Sequence, residues 1–577
     1  TKEEILLVKQ LDDTPQTRSG IFGDVSHVGN FFFNDSLTIL GPQLENPYEI
    51  ENMRMAYAEL ADSLPDLQLP VVVTSHHYVR FLPQNDEELY ALHSAHPSVV
   101  FYDYPLDREI VTGGAYYHDP SIADTLPTYQ YASIKASIWE NMQDSIDIDY
   151  EILADLFIPE ETITFTPRPG IGDGPIFTDG INSYESDNEV TEQAVDLLVK
   201  KAMQLTGNYE EPSVIDNGMA QINSSDDSWT PSGRITAYDH VLGDNVPIVG
   251  ITVRARRWFT THKGVTDANG YFTCNGTFKN PANYSFKWES DRWDIRDGAV
   301  VQASYNHGKK LSGAWNLVIH NNDYKSLRFA TIHRAAHRVY FGENDNLYCP
   351  LKPKMKLCYY HRNAANGAVG RFRRGGNIGI FGVTFDENNE PRFCTTDEIF
   401  NTTCHELGHA AHYYYNTLQY TQASDLYVDS WASCMASHLT QLEYEYWNVW
   451  ENLNQNWVVG GVPRYLPPKY CLQQWNVRKN HYTPIFIDIL DDFNQKLFFI
   501  TWLQYYETNE GSTIDNYPND AVCLDNISIA YLQNVVFNNH TLNVVKNILL
   551  STENPTSADS QYHQINELFN FYETYEE

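Results

Sequence analysis

The sequence predicts a multidomain α+β protein. An N-terminal α/β domain covers residues 1–208, a linker 209–232, a central β-sandwich 233–317 and a mostly helical C-terminal domain 318–577. Three observations predict this. The chain has 577 residues, too many for one ordinary domain, and its 42% hydrophobic and 14% aromatic residues can fill several cores. Strand and helix signals alternate up to Asn208, then short strand-sized runs follow between Gly, Asp and Asn turns, then helical periods take over. The stretch 207–233 is rich in Asn, Asp, Ser and Gly and reads as a linker.

The elements follow in order. The apolar run 69–73 is strand-sized, and 78–82 reads as a strand. Asn85 can cap a helix whose first turn carries Asp86, Glu87 and Glu88, where the positive end of the helix favours acids. That helix runs to about Ser94. A strand is expected over 98–102 and a second helix over 190–205. Beyond Gly233, strand-like runs cover 234–238, 247–255 and 264–274. Val253 and Ala255 alternate there with Arg254 and Arg256, the period of a half-buried strand. Phe329, Ile332, Ala336 and Tyr340 form a helical stripe over 326–340, and 355–360 and 377–384 read as strands. Phe486, Ile489, Leu490, Phe493, Leu497 and Ile500 share helical spacing, and Ser528 can cap a helix reaching Phe537.

Composition excludes some functions. Lys and Arg total 39 against 75 Asp and Glu, a net charge of −36. Such a chain has no general electrostatic footprint for nucleic acid or an anionic membrane surface. No apolar run reaches the ~18 residues of a membrane-spanning helix. The chain opens Thr-Lys-Glu-Glu without Met, as expected once a targeting segment is removed. None of the 8 cysteines forms a C-x-x-C pair, so a cysteine zinc ribbon is not expected. His76 and His77 are neighbours on a strand and point to opposite faces, a poor metal site. Arg371-Phe-Arg-Arg-Gly-Gly is a basic cluster that reads as a solvated loop or, alternatively, as a holder of a substrate carboxylate.

The chemical signal is Cys404-His405-Glu406-Leu407-Gly408-His409-Ala410, which contains H-E-x-x-H. On a helix, His405 and His409 stand one turn apart on one face and can both reach a metal at ~2.0–2.1 Å. Glu406 is rotated ~100° from His405, beside a water on the metal rather than on the metal itself, and suits a general base. Thr396 can cap the helix, with Asp397 and Glu398 in its first turn, and Glu398, Thr402, His405, His409 and His412 share one polar stripe. The same spacing also arises on helices that hold no metal, so a third ligand is needed. Asp429 lies 20 residues after His409 on a segment whose apolar positions, Val428, Trp431, Ala432 and Met435, are helical; Asp425, one turn earlier, is the alternative. His412 is expected as an outer partner of the ligands. His438 could donate to a reacting carbonyl, although His438 and Glu443 read first as helix-surface residues. Tyr482 and His481 are further candidates for an oxyanion donor. Cys404 points away from the His405 face and reads as a core thiol.

These residues resemble a gluzincin metallopeptidase of the zincin superfamily. The resemblance maps His405 and His409 onto the histidine ligands and Glu406 onto the base, and implies Zn2+ and hydrolysis of a peptide or protein substrate. Asp429 stands where that group carries Glu, so the second helix must approach more closely. The run 377–384, just before the motif helix, suits the zincin edge strand. Gly233-Arg-Ile, Val246-Pro-Ile-Val-Gly-Ile-Thr-Val and Gly264-Val-Thr-Asp-Ala-Asn-Gly-Tyr-Phe resemble the carboxypeptidase regulatory-like, or transthyretin-like, β-sandwich over 230–317. Phe81-Leu-Pro-Gln-Asn-Asp-Glu-Glu-Leu and Phe101-Tyr-Asp-Tyr-Pro-Leu-Asp resemble the leading domain of exported Bacteroidetes proteins, which implies a secreted protein or surface lipoprotein. The expectation is therefore a zinc peptidase. The competing one is an inactive zincin-like surface protein that binds glycans or host proteins.

Overall fold

The computed structural model describes residues 37–163, 165–167, 175–177, 190–209, 228–350, 353–364, 370–373, 377–385, 390–447, 458–459, 462–463, 483–490, 527–552 and 561–573. The described residues mix helices with several separate sheets, as expected of a multidomain α+β chain. None of their helices is long and apolar enough to cross a membrane.

The N-terminal region holds a ribbon of β1 (Ile39–Gln43) and β3 (Arg108–Thr112) and a sheet of β2 (His76–Leu82), β4 (Gln130–Lys135) and β5 (Asp149–Leu156). The sheet runs β4-β2-β5 and every pairing is antiparallel, so this region is α+β rather than the α/β that the alternation predicts. Helices α1 (Ile50–Ser63), α2 (Asp86–Ala95) and α3 (Glu192–Leu205) accompany it. Asn85 caps α2 as expected, its side chain accepting the Glu88 N–H. The expected strand over 98–102 is a single bridge, Tyr102 to Tyr131, because the turn from His96 to Val99 takes the chain off the sheet. The run 69–73 is irregular for its part.

Two four-stranded sheets follow. One holds β6 (Ser232–Asp239), β7 (Asp244–Pro247), β10 (Tyr271–Thr273) and β14 (Trp315–Ile319). The other runs β9 (Thr260–Val265), β8 (Thr252–Arg257), β11 (Ala282–Lys287), β13 (Tyr305–Leu311). The expected strand over 247–255 is split by Gly250, whose φ of 78° only glycine adopts readily. The sheets pack face to face: Tyr284 meets Phe272 and Trp315 at 6.1 and 5.4 Å between ring centroids.

Strand β12 (Trp293–Asp297), within the span read as sandwich, pairs elsewhere. It joins β15 (Met355–Tyr360), β17 (Asn377–Phe381) and β16 (Gly370–Arg373) in the order β12-β15-β17-β16. Three strands are parallel and β16 is antiparallel on the edge. Residues 371–373 are therefore strand and not solvated loop, and 377–381 is interior to the sheet rather than its edge. Both corrections have one cause: β16 pairs with β17 through backbone bonds that a four-residue run cannot signal. Helices α4 (Tyr324–Phe341), α5 (Thr396–Tyr415), α6 (Thr417–Gln422), α7 (Asp425–Tyr446) and α8 (Ile529–Phe537) belong to this region, with Ser528 capping α8, and helices over Leu542–Thr552 and Gln561–Glu573 follow. The expected helix from Phe486 is seen over Ile485–Asp488, and positions 491–500 lie outside the described residues.

One buried and two half-buried histidines should make the fold sensitive to acid. His333, on α4, is fully buried and pairs Nε2 with the Val249 carbonyl at 2.7 Å. Burial holds its pKa down to about 4, and holds His93 at about 3 and His307 at about 4. A folded pKa below the unfolded ~6.5 means that the unfolded chain takes up the proton first. Stability from these groups is full above pH 6.5 and is lost as pH falls through 4. His333 alone accounts for ~3 kcal/mol. Denaturant melts at pH 7 and pH 4 check this: the drop shrinks in His333→Leu if the reading is right, and is unchanged if it is wrong.

Candidate metal centre

Helix α5 begins with a capping box one residue earlier than expected. Thr395 is the N-cap, and Glu398 Oε2 accepts its backbone N–H at 2.8 Å. The helix then runs without Pro to Tyr415, so the one-turn spacing puts His405 and His409 on one face. Helix α7 packs across α5. The contact is close at Gly408, where a Cβ would lie 3.2 Å from the Ala432 Cα. Asp429 is three residues before Ala432, so this approach brings the shorter carboxylate within reach.

His405 Nε2 and His409 Nε2 are 3.1 Å apart. Asp429 Oδ1 lies 2.8 Å from His409 Nε2 and 3.8 Å from His405 Nε2. These three groups could hold a metal ion, their donor atoms all lying within 4.8 Å of one another. The fit to zinc is good. A tetrahedral ion with ligands at ~2.0–2.1 Å holds them about 3.3 Å apart, and two imidazoles with one carboxylate leave the fourth position open, as catalytic sites do. The remaining ring nitrogens have their own partners. Ser433 Oγ is 3.4 Å from His405 Nδ1, and Tyr420 OH is 3.3 Å from His409 Nδ1. Such outer contacts hold the two rings in orientation, with each Nε2 turned toward the shared point.

Glu406 sits beside the ligands under the edge strand. The residue is 4% exposed, and its carboxyl accepts the Phe372 backbone N–H. Burial, aided by the Asp429 charge, raises its pKa to about 7 against the pull of His409 and that N–H. Burial and the His409 charge lower His405 to about 3. Burial would lower His409 too, but its hydrogen bond and charge pairing with Asp429 outweigh this and its pKa is raised. The Phe372 ring faces the His409 ring at 6.5 Å and 14°. Gly370 fits only without a side chain, since a Cβ there would stand 2.3 Å from Glu406 Oε1.

Of the expected site residues, His405, Glu406, His409 and Asp429 come together. Asp425 contributes charge to His409 but is outside the metal-holding group. His412 is fully buried, stacks on Phe537 at 4.5 Å, and has neither ring nitrogen hydrogen-bonded among the described residues. It is therefore a core residue rather than an outer partner of the ligands. His438, nine residues beyond Asp429 on α7 and so ~13 Å along its axis, pairs with Asp345 at 2.8 Å instead. Glu443 is buried rather than on the surface. It takes Arg334 at 2.8 Å and also Arg338, because two guanidinium groups of α4 face it. Tyr482 and His481 lie outside the described residues. Cys404 is a fully buried core thiol, as expected.

Sequence reasoning missed Gly408, Gly370, Ser433, Tyr420 and Phe372. Two of them left a trace. Ser433 is four residues after Asp429 and so on its face, and Gly408 is an interior glycine in an otherwise good helix, which often has a packing reason.

No family model matches this chain, and no curated protein matches it.

Two substitutions probe the packing. Gly408→Leu should push α7 away and weaken metal binding by about tenfold or more while the chain stays folded, since overpacking costs ~1–3 kcal/mol. Competitive chelator titration reads the affinity, and an unchanged value would disconnect the helix contact from the ligand set. Gly370→Ala should displace Glu406 with metal affinity retained; a matching loss of affinity would show that the strand holds the whole site instead.

Proposed function

We propose that the chain is a zinc-dependent peptidase, with His405, His409 and Asp429 as ligands and Glu406 as general base. One observation carries the reading: a buried carboxyl stands beside two imidazoles and a carboxylate that converge on one point, beneath a strand that ends its sheet among the described residues. When bound, zinc supplies a Lewis acid that polarises a carbonyl and lowers the pKa of a water to ~7. The Glu406 carboxylate takes the proton of the attacking water. The water oxygen bonds to the peptide carbonyl carbon, the C–N bond breaks, and Glu406 returns the proton to the leaving nitrogen. Among the described residues strand β16 ends its sheet, so its outer edge, apart from the Phe372 N–H that Glu406 takes, can pair with an extended substrate backbone. Ser433 and Tyr420 keep the two imidazoles oriented.

In this reading residues 318–577 form a zincin-like catalytic domain, joined by β12, and the two facing sheets form the regulatory-like sandwich. Export to the cell surface or periplasm belongs to the same proposal, and rests on the resemblance of the leading region. The test is cleavage of a random peptide library, followed by mass spectrometry, with and without a chelator. Defined new termini that vanish on chelation and return with zinc support the proposal. An uncut library at every pH from 5 to 9 counts against it and favours a binding protein on this scaffold.

A further inference from the structure

A second site lies far from this chemistry in the chain, at the junction of the N-terminal region and the sandwich. A cavity of about 220 Å³ opens there, lined by Arg108, Arg256, Arg257 and Lys310, with Tyr209 and Trp258 among the remaining walls. It has room for several waters or one small ligand. In a chain of net charge −36 this concentration of cations is unusual. The only carboxylate in the lining is Glu109, which stands 3.8 Å from Lys310.

The three arginines form no ion pair among the described residues. Arg256 is 4% exposed and bonds the Leu106 and Trp258 carbonyls through Nη1 alone, while its guanidinium lies over Tyr102 and Tyr104. Arg257 bonds the Pro281 carbonyl and Arg108 the Gly41 carbonyl, each at 3.3 Å and each through Nη1. A guanidinium carries five N–H donors in a fork that matches an oxyanion. Arg108 and Arg257 are half-buried, and Arg257 also feels the charge of Glu160, whereas Arg256 is buried with no ion pair among the described residues, a costly state that a bound anion would offset. The tip of the β8–β9 hairpin adds shape. Trp258 has φ 50°, a left-handed conformation that is costly for a bulky residue and that clusters at binding sites. The next residue, Phe259, anchors the tip by packing on Tyr48 and Tyr78 at 6.3 and 5.0 Å. Trp258 is thereby fixed in the wall, where a flat apolar face suits a sugar ring.

We propose that this cavity binds the oxyanion group of a small ligand the size of one charged sugar, a carboxylate or sulfate held by Arg108, Arg256 and Arg257. The proposal is independent of the metal centre. The test is calorimetric titration of the whole chain at physiological salt with glucuronate, inorganic sulfate and neutral glucose. Arg256 is too buried to replace safely, so Arg257→Gln and Arg108→Gln are the variants. The expected result is binding of glucuronate and not of glucose, weakened about tenfold or more in each variant, with unliganded melting temperatures unchanged. Tighter binding of glucuronate than of sulfate identifies a sugar acid, and equal binding identifies the free anion; both support the oxyanion site. No binding of either anion, or binding that neither variant weakens, overturns it. A chelator added to the wild type should leave this binding untouched.

Discussion

Replacing Glu406 with Gln is expected to lower peptide hydrolysis by ~10²–10⁴-fold while the metal stays bound, the range set by losing a positioned proton acceptor. The substitution keeps the shape and the ability to accept the Phe372 N–H. It removes only the carboxylate, whose pKa burial has raised to about 7. Rates and metal affinity measured side by side decide the point. A variant that keeps full activity would place the base elsewhere. A variant that loses metal along with activity would make Glu406 a ligand, contrary to its place under the edge strand.

The second large effect is on stability. Glu443→Ala is expected to cost ~3–5 kcal/mol, the usual result of removing one partner from a buried ion pair. Glu443 accepts Arg334 and Arg338 from α4, and Arg334 also reaches Asp239, at the end of β6, at 2.8 Å. Tyr444 OH joins Asp239 at 3.2 Å. The network ties α7, α4 and the sandwich together at the end of α7 away from the metal centre. Its loss leaves two guanidinium groups short of their carboxylate. Urea denaturation measures the cost. A change below about 1 kcal/mol would mean that water has replaced the carboxylate, as at an exposed pair. Glu443→Gln should fall between, because it keeps a hydrogen-bond acceptor but not the charge.

What the sequence revealed and what it hid have physical causes. The motif helix was legible because a cap, an acidic first turn and two one-turn-spaced histidines are local features. Asp429 was legible because its neighbours keep a helical period. Only the structure shows why a shorter carboxylate suffices: Gly408 lets α7 come close, a contact between residues 24 positions apart. The edge strand was misplaced for a similar reason. Arg371 and Arg373 are exposed on β16 and read as solvated charge, while Gly370 and Phe372 face the site. Alternation over four residues is too short to tell a strand from a loop. Glu443 was read as surface because its arginine partners lie over a hundred positions away. In the leading region the alternation of helix and strand was real, but strand direction depends on pairings that periodicity does not encode.

The central claim is that His405, His409 and Asp429 make one metal site. Metal content by mass spectrometry of the purified chain tests it most directly, beside His405→Ala, Asp429→Asn and Glu406→Gln. About one zinc per chain is predicted in the wild type and in Glu406→Gln, with loss in His405→Ala and weakened retention in Asp429→Asn. A wild-type chain that stays empty after zinc is offered, or a His405→Ala chain that binds zinc as tightly as the wild type, would contradict the claim.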